Sequence, residues 1–199
     1  MQFGIHTFTR GATALPDGLA AVARSCDEAG FDYFGVNDHV VISDTIDSTY
    51  PYTEDGSWAG AADAACLDVL TTLAFVAGQT QRIRLLTSVM VIPHRPAVLT
   101  AKILATVDVL SNGRLTVGVG VGWMREELAA LDAPAYERRG AASDEYIEAW
   151  RELWAHPVSA YEGEFVSFSG VRADPKPVQR PGPPLWIGGE GPAARRRIA

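Results

Sequence analysis

The sequence predicts an α/β protein built on a parallel sheet, either a closed barrel or an open doubly wound sheet. Three observations carry this. Short β-branched or aromatic runs alternate with amphipathic helical segments, and each connection is long enough for a parallel crossover. The run from Ile83 to Ile92 is nearly all apolar, as a strand covered on both faces requires. The stretch NGRLTVGVGVGW, residues 112–123, turns at Asn112-Gly113 and then becomes a strand that dissolves into alternating glycines. Gly118, Gly120 and Gly122 lack a Cβ, so a flat ring or a phosphate could approach the backbone there; a tight strand exit with no ligand has the same spacing.

In chain order, Phe3 to Phe8 reads as the first buried strand. Pro16 opens a helix whose Leu19, Val22, Ala23, Cys26 and Ala29 share one face, with Gly30 in the stop position. Phe31 to Val36 is a second strand and runs directly into Asn37-Asp38-His39. Val40 to Cys66 has little periodicity; a connection that long is functional or disordered, and Tyr50, Tyr52 and Trp58 favour a substrate lid.

Leu67 to Gln79 reads as a helix, and the third strand, Ile83 to Ile92, stops at Pro93-His94-Arg95-Pro96, which cannot continue a ladder. Pro96 to Leu110 is another helix, and the glycine-rich stretch supplies the fourth strand. The alternation then breaks. Glu126 to Leu131 and Ala141 to Trp154 read as helices, Ser159 to Val171 as a hairpin around Glu162-Gly163, and Asp174 to Pro184 as an extended connector. Leu185 to Ile187 is a fifth strand before Gly188-Gly189, and Pro192 starts a last helix.

The 199 residues suit a single domain over 1–199, with 47% hydrophobic and 21% charged residues. A net charge of -7 without a basic face argues against nucleic acid as a partner; Arg195-Arg196-Arg197 reads as a solvated helix face. No apolar run approaches the roughly 18 residues that span a bilayer, so a cytoplasmic protein with no membrane partner is expected. Cys26 and Cys66 lack CxxC spacing and read as reduced apolar residues. The four histidines are scattered and share no helical face with a carboxylate, so no metal site is expected.

Asp38-His39 is the strongest candidate for chemistry. An imidazole titrates near neutral pH, a carboxylate beside it can tune it, and parallel folds build their sites at strand C-termini. His6 on the first strand reads as a core histidine or a residue facing a barrel mouth, His94 as a loop support or an anion contact, and His156 as a helix end.

Four segments in order, FGVNDHV, IRLLTSVMVIPHRPAVLTAKILATVDVLS, VDVLSNGRLTVGVGVGW and DPKPVQRPGPPLWIGG, resemble the luciferase-like monooxygenase family across nearly the whole chain. Within it they are most similar to the deazaflavin (coenzyme F-420)-dependent oxidoreductases. The resemblance implies a (β/α)8 TIM barrel of the bacterial-luciferase type, here incomplete with about five of eight strands. It implies a cofactor in the C-terminal mouth, with His39 as the catalytic proton donor or acceptor and Asp38 contacting the cofactor. Ser88-Val89 matches a bulge where a cis peptide backs the ring. Gly120, Val121, Gly122, Gly188 and Gly189 match loops that touch its polar tail and phosphate.

The chain departs from the family in its short C-terminal side and in Trp123, where some relatives carry a glutamate. The expected function is hydride transfer between coenzyme F-420 and a small organic substrate. Alternatives are an FMN-dependent monooxygenase and a truncated, non-catalytic cofactor-binding fragment. Open sheet edges call for a homodimer partner or a complementing chain.

Overall fold

The computed structural model describes residues 1–58, 60 and 66–198. Five strands, β1 (Gly4–Thr7), β2 (Tyr33–Val36), β3 (Arg84–Val91), β4 (Leu115–Gly120) and β7 (Leu185–Ile187), form one sheet. Its order is β1-β2-β3-β4-β7, every pair is parallel, and β1 and β7 are its edges. Two further strands, β5 (Ser159–Glu162) and β6 (Ser167–Val171), make the separate antiparallel hairpin expected from the sequence. The α/β class and the order of elements are therefore as predicted, with ends moved by a few residues.

One face of the sheet is the hydrophobic core. Phe34, Val36, Leu85, Leu115, Val117 and Val119 alternate onto it and are buried. Helices α1 (Pro16–Glu28), α2 (Val69–Gln79), α3 (Ala97–Leu110) and α5 (Arg139–Ala155) provide the rest of that core, with Leu19, Leu70, Leu73, Leu104 and Trp150 essentially inaccessible. The indole N–H groups of Trp150 and Trp154 donate to the carbonyls of Ala97 and Ala101, so two large rings are buried without an orphaned donor. Two short helices complete the chain, α4 (Arg125–Ala130) and α6 (Pro192–Ile198).

The other face is concave. The Tyr33 and Trp186 rings, on strands three positions apart in the sheet, meet with centroids 5.1 Å apart, which only a strongly curled sheet permits. Apolar groups stand open around it, including Phe8 at 60% and Trp186 at 46% exposure. Curvature and parallel order are those of a partial barrel. Among the described residues no helix is long and apolar enough to cross a membrane.

Gly118 settles one alternative in the glycine run. A Cβ there would lie 2.2 Å from the Thr87 carbonyl oxygen, so this glycine is required for close strand packing, and the Thr87 hydroxyl donates to its carbonyl at 2.7 Å. At the other end of the chain Arg197, expected as part of a solvated face, is pinned to Asp144 and the Gly140 carbonyl with 15% exposure. The helix lies against α5, so its basic side chain finds a carboxylate before it finds water.

Candidate functional site

Because every strand of the sheet runs the same way, their C-terminal ends share one rim. The segments that leave β2, β3, β4 and β7 carry Asp38-His39, His94-Arg95, Val121-Gly122 and Gly188-Gly189 respectively. The sequence-predicted residues are thus brought to one edge of the molecule, where parallel α/β proteins assemble their sites.

His39 rests on a residue the sequence reading did not single out. Its Nδ1 lies 2.8 Å from Oε2 of Glu127 on α4, a carboxylate that is 1% exposed. The second oxygen, Oε1, accepts the backbone N–H groups of Val40 at 2.7 Å and Val41 at 3.3 Å. Burial pushes the Glu127 carboxyl up, but the His39 hydrogen bond, the nearby imidazoles and the Val40 amide outweigh it and hold it below the ordinary carboxylate range. The neighbouring Glu126 accepts the amides of Asp47 and Ser48 and the Ser48 hydroxyl. Adjacent glutamates thus staple the long connection after β2 to the first turn of α4, where negative charge also suits the helix dipole.

Asp38, which the resemblance offers as a cofactor contact, has its carboxylate engaged within the protein. Its side chain is fully buried, with Oδ1 and Oδ2 gripped by the Arg95 guanidinium at 2.8 and 2.9 Å, and Oδ2 also accepts the Val91 amide at 2.9 Å. Arg95 reaches on to Asp68 at 2.6 Å. The bidentate pair ties the end of β2 to the end of β3, and it leaves the Asp38 carboxylate turned inward. Burial would lower the Arg95 pKa, but Asp38 and Asp68 more than reverse this and hold it above its ordinary value.

His94 lies buried between the two acids, its Nδ1 3.9 Å from Asp38 and 3.8 Å from Glu127, too far for a hydrogen bond to either. Burial lowers its pKa, and the pull of Glu127 and Asp38 does not restore it, so this histidine is neutral in the fold. A histidine whose folded pKa lies below its unfolded value contributes stability that is complete above about pH 6.5 and is lost as pH falls through the folded pKa. The unfolding free energy should therefore decline below about pH 6.5 with a slope of up to about 1.4 kcal/mol per pH unit from this group. In His94→Gln the decline should lessen, and what remains above the range where carboxylates titrate belongs to His6, whose pKa burial also lowers; an unchanged slope in urea titrations would assign all of it elsewhere.

The rim has an apolar floor. The peptide between Ser88 and Val89 is cis, as the resemblance implied, and the β3–β4 register shifts between Thr87 and Met90. Val89 is 38% exposed, and its two methyls lie against Gly120 at the end of β4 and Gly188 just beyond β7. A Cβ at Gly120 would sit 3.0 Å from Val89 Cγ2, and one at Gly188 would sit 3.1 Å from Cγ1. Val89, Gly120 and Gly188 therefore pack as one surface. Gly122, at φ +83°, passes its carbonyl to the Arg139 guanidinium at 2.9 Å. Among the described residues, no backbone carbonyl accepts the Gly122 or Gly189 amide.

One wall is aromatic. The Trp58 ring lies 4.7 Å from the His39 ring and 5.6 Å from Trp123, and Trp123 meets Tyr50 at 5.0 Å. Trp58, from the stretch Val40 to Cys66 expected as a substrate lid, thus packs against His39; residues 59 and 61–65 of that stretch lie outside the described residues. Cys66 takes one hydrogen bond from Asn37 and shares another with Thr9, so it is more than an apolar filler. His6 faces the open side of the sheet beside Phe8 rather than a closed core.

The family model described as luciferase-like monooxygenase matches residues 1–199. An uncharacterized protein of Mycobacterium tuberculosis is 39% identical over 192 residues, 96% of this chain and 66% of that protein. The FMNH(2)-dependent dimethylsulfone monooxygenase of Pseudomonas putida is 35% identical over 118 residues, 58% of this chain and 32% of that enzyme. Among solved structures, an F420-dependent secondary alcohol dehydrogenase in complex with an F420-acetone adduct matches with a TM-score of 0.75 at 20% identity. That match covers 98% of this chain and 54% of the dehydrogenase, and it is a likeness of fold. The chain thus spans just under two thirds of the first relative and about half of this neighbour.

Proposed function

The chain belongs to the luciferase-like monooxygenase family, and on that premise we propose that it is a two-electron oxidoreductase moving a hydride between coenzyme F-420 and a small organic substrate. The observation that carries the reading is the rim itself. A histidine held on a buried carboxylate, an exposed apolar floor backed by two glycines and an aromatic wall share one edge of a parallel sheet.

These residues fit a flat tricyclic cofactor. Val89 would support one face of its ring, because its methyls already fill the hollows of Gly120 and Gly188 and present an apolar surface outward. The Gly122 and Gly189 amides, with Val121 between Gly120 and Gly122, would donate to the polar tail. When bound, the deazaflavin supplies hydride chemistry at its C5. His39 would hold or take the proton that accompanies the hydride, at its Nε2, while Trp58, Trp123 and Tyr50 would exclude water and shape the substrate pocket. Asp38 would act through Arg95 and the backbone, keeping the β2 and β3 ends together.

FMN with oxygen chemistry is the second reading. It is favoured by the similarity to an FMNH(2)-dependent monooxygenase, and the same floor would accept an isoalloxazine ring. Separate titrations of the protein with coenzyme F-420 and with FMN test both, read as quenching of the rim tryptophans Trp58 and Trp123. Saturable quenching by the deazaflavin at micromolar concentration is the expected result. Quenching by FMN alone, with oxygen consumption on reduction, supports the second reading, and a flat response to both removes the cofactor claim.

A further inference from the structure

We infer that Glu127 is the positioning residue for His39: its buried carboxylate holds the imidazole as the Nδ1–H tautomer and turns an unprotonated Nε2 toward the rim. The inference rests on the proposed function only for its catalytic consequence; the tautomer is a property of the chain alone.

Glu127 Oε1 is occupied by two backbone N–H groups, which can only donate. Oε2 faces His39 Nδ1 at 2.8 Å. A carboxyl kept below its ordinary pKa is an acceptor at both oxygens at neutral pH, so the proton in the short contact belongs to Nδ1. A neutral imidazole then has a bare Nε2.

The surroundings leave this pair to itself. Asp38 is neutralised by Arg95, which also holds Asp68; Glu126 is turned to Ser48. His94 approaches Oε1 only to 3.8 Å, leaving Oε2 to His39. Turning the ring over would put carbon against a buried carboxylate, and the Trp58 ring packs on the imidazole with centroids 4.7 Å apart.

The chemical consequence is a direction for the proton. A hydroxyl-bearing substrate gives its proton to Nε2, the O–H bonding pair stays on oxygen, and the new imidazolium is paired with the Glu127 carboxylate. The substrate class indicated is one whose reaction begins by losing a proton from oxygen.

The experiment is nitrogen NMR of the full chain carrying 15N-histidine, with His39→Gln identifying the His39 signals. At neutral pH the wild-type ring should carry its proton on Nδ1 alone. In Glu127→Gln the carboxamide oxygen stays on the Val40 and Val41 amides and its NH2 donates to Nδ1, so the proton should move to Nε2. A wild-type ring protonated on Nε2 overturns the inference even when the variant does not fold. So does an Nδ1–H tautomer that survives in a folded Glu127→Gln protein. Turnover should fall about 10²- to 10⁴-fold in Glu127→Gln, the range of a lost proton transfer. Unimpaired turnover in His39→Gln, beside the expected tautomers, would instead sink the proposed function while leaving the role of Glu127 intact.

Discussion

Replacing Arg95 by leucine should lower the unfolding free energy by about 3–5 kcal/mol, the cost of leaving a buried charge without its partner. The Asp38 side chain is fully buried and takes both its guanidinium contacts from Arg95, while Asp68, at 41% exposure, can turn to water when the guanidinium is lost. The charge stranded by the substitution is therefore Asp38, with the Val91 amide as its remaining hydrogen bond. Urea unfolding of Arg95→Leu measures the loss. In the double variant Arg95→Leu/Asp38→Asn the carboxylate is gone as well, and a good part of the stability should return. A single variant within about 1 kcal/mol of wild type would mean that the ion pair does not hold the β2 and β3 ends together.

Replacing His39 by glutamine should slow hydride transfer by about 10²- to 10⁴-fold while cofactor affinity changes little. The glutamine keeps a polar group of similar reach but cannot take a proton, and the Val89, Gly120 and Gly188 surface is untouched. Fold should also be kept, because Glu127 retains the Val40 and Val41 amides when the imidazole is removed. The rate is followed as the absorbance of the deazaflavin with a substrate the wild type turns over, and affinity as tryptophan quenching. Bound cofactor with no difference in rate between variant and wild type would take His39 out of the chemistry.

Much of the site was legible because parallel topology sends strand ends to one place. Asp38-His39 at the end of β2 and Gly188-Gly189 after β7 stood out as local patterns, Ser88-Val89 within β3 was named only through the family resemblance, and the common strand direction assembled them. Glu127 was not legible. It sits in the first turn of a short amphipathic helix, where a glutamate is ordinary, and its partner is 88 residues away. The one local signal is a doubled glutamate directly after the glycine loop, and it becomes meaningful only beside a long connection rich in unpaired amides. Trp123 was noted as a departure from relatives, yet its place in an aromatic wall depends on the packing of Tyr50 and Trp58.

Asp38 shows the same division from the other side. The dipeptide announced a pair that would work together, but the fold separates their duties: the aspartate turns inward to Arg95, and the histidine turns to a glutamate from another helix. Adjacent side chains at a strand end point to opposite sides, so the nearest carboxylate in sequence is poorly placed to tune the imidazole beside it.

By itself the sequence determined the α/β class, the order of strands and helices, and the edge of the sheet where Asp38-His39 and the glycine turns meet. Those follow from hydrophobic period, turn residues and the one-way rule for parallel connections, all of which are local or topological. Only the tertiary structure decided which acid serves His39, why Gly118 has no room for a side chain, and which residues close over the rim. Each of these depends on distances between segments far apart in the chain, and hydrogen bonds and van der Waals contacts fail within a fraction of an ångström.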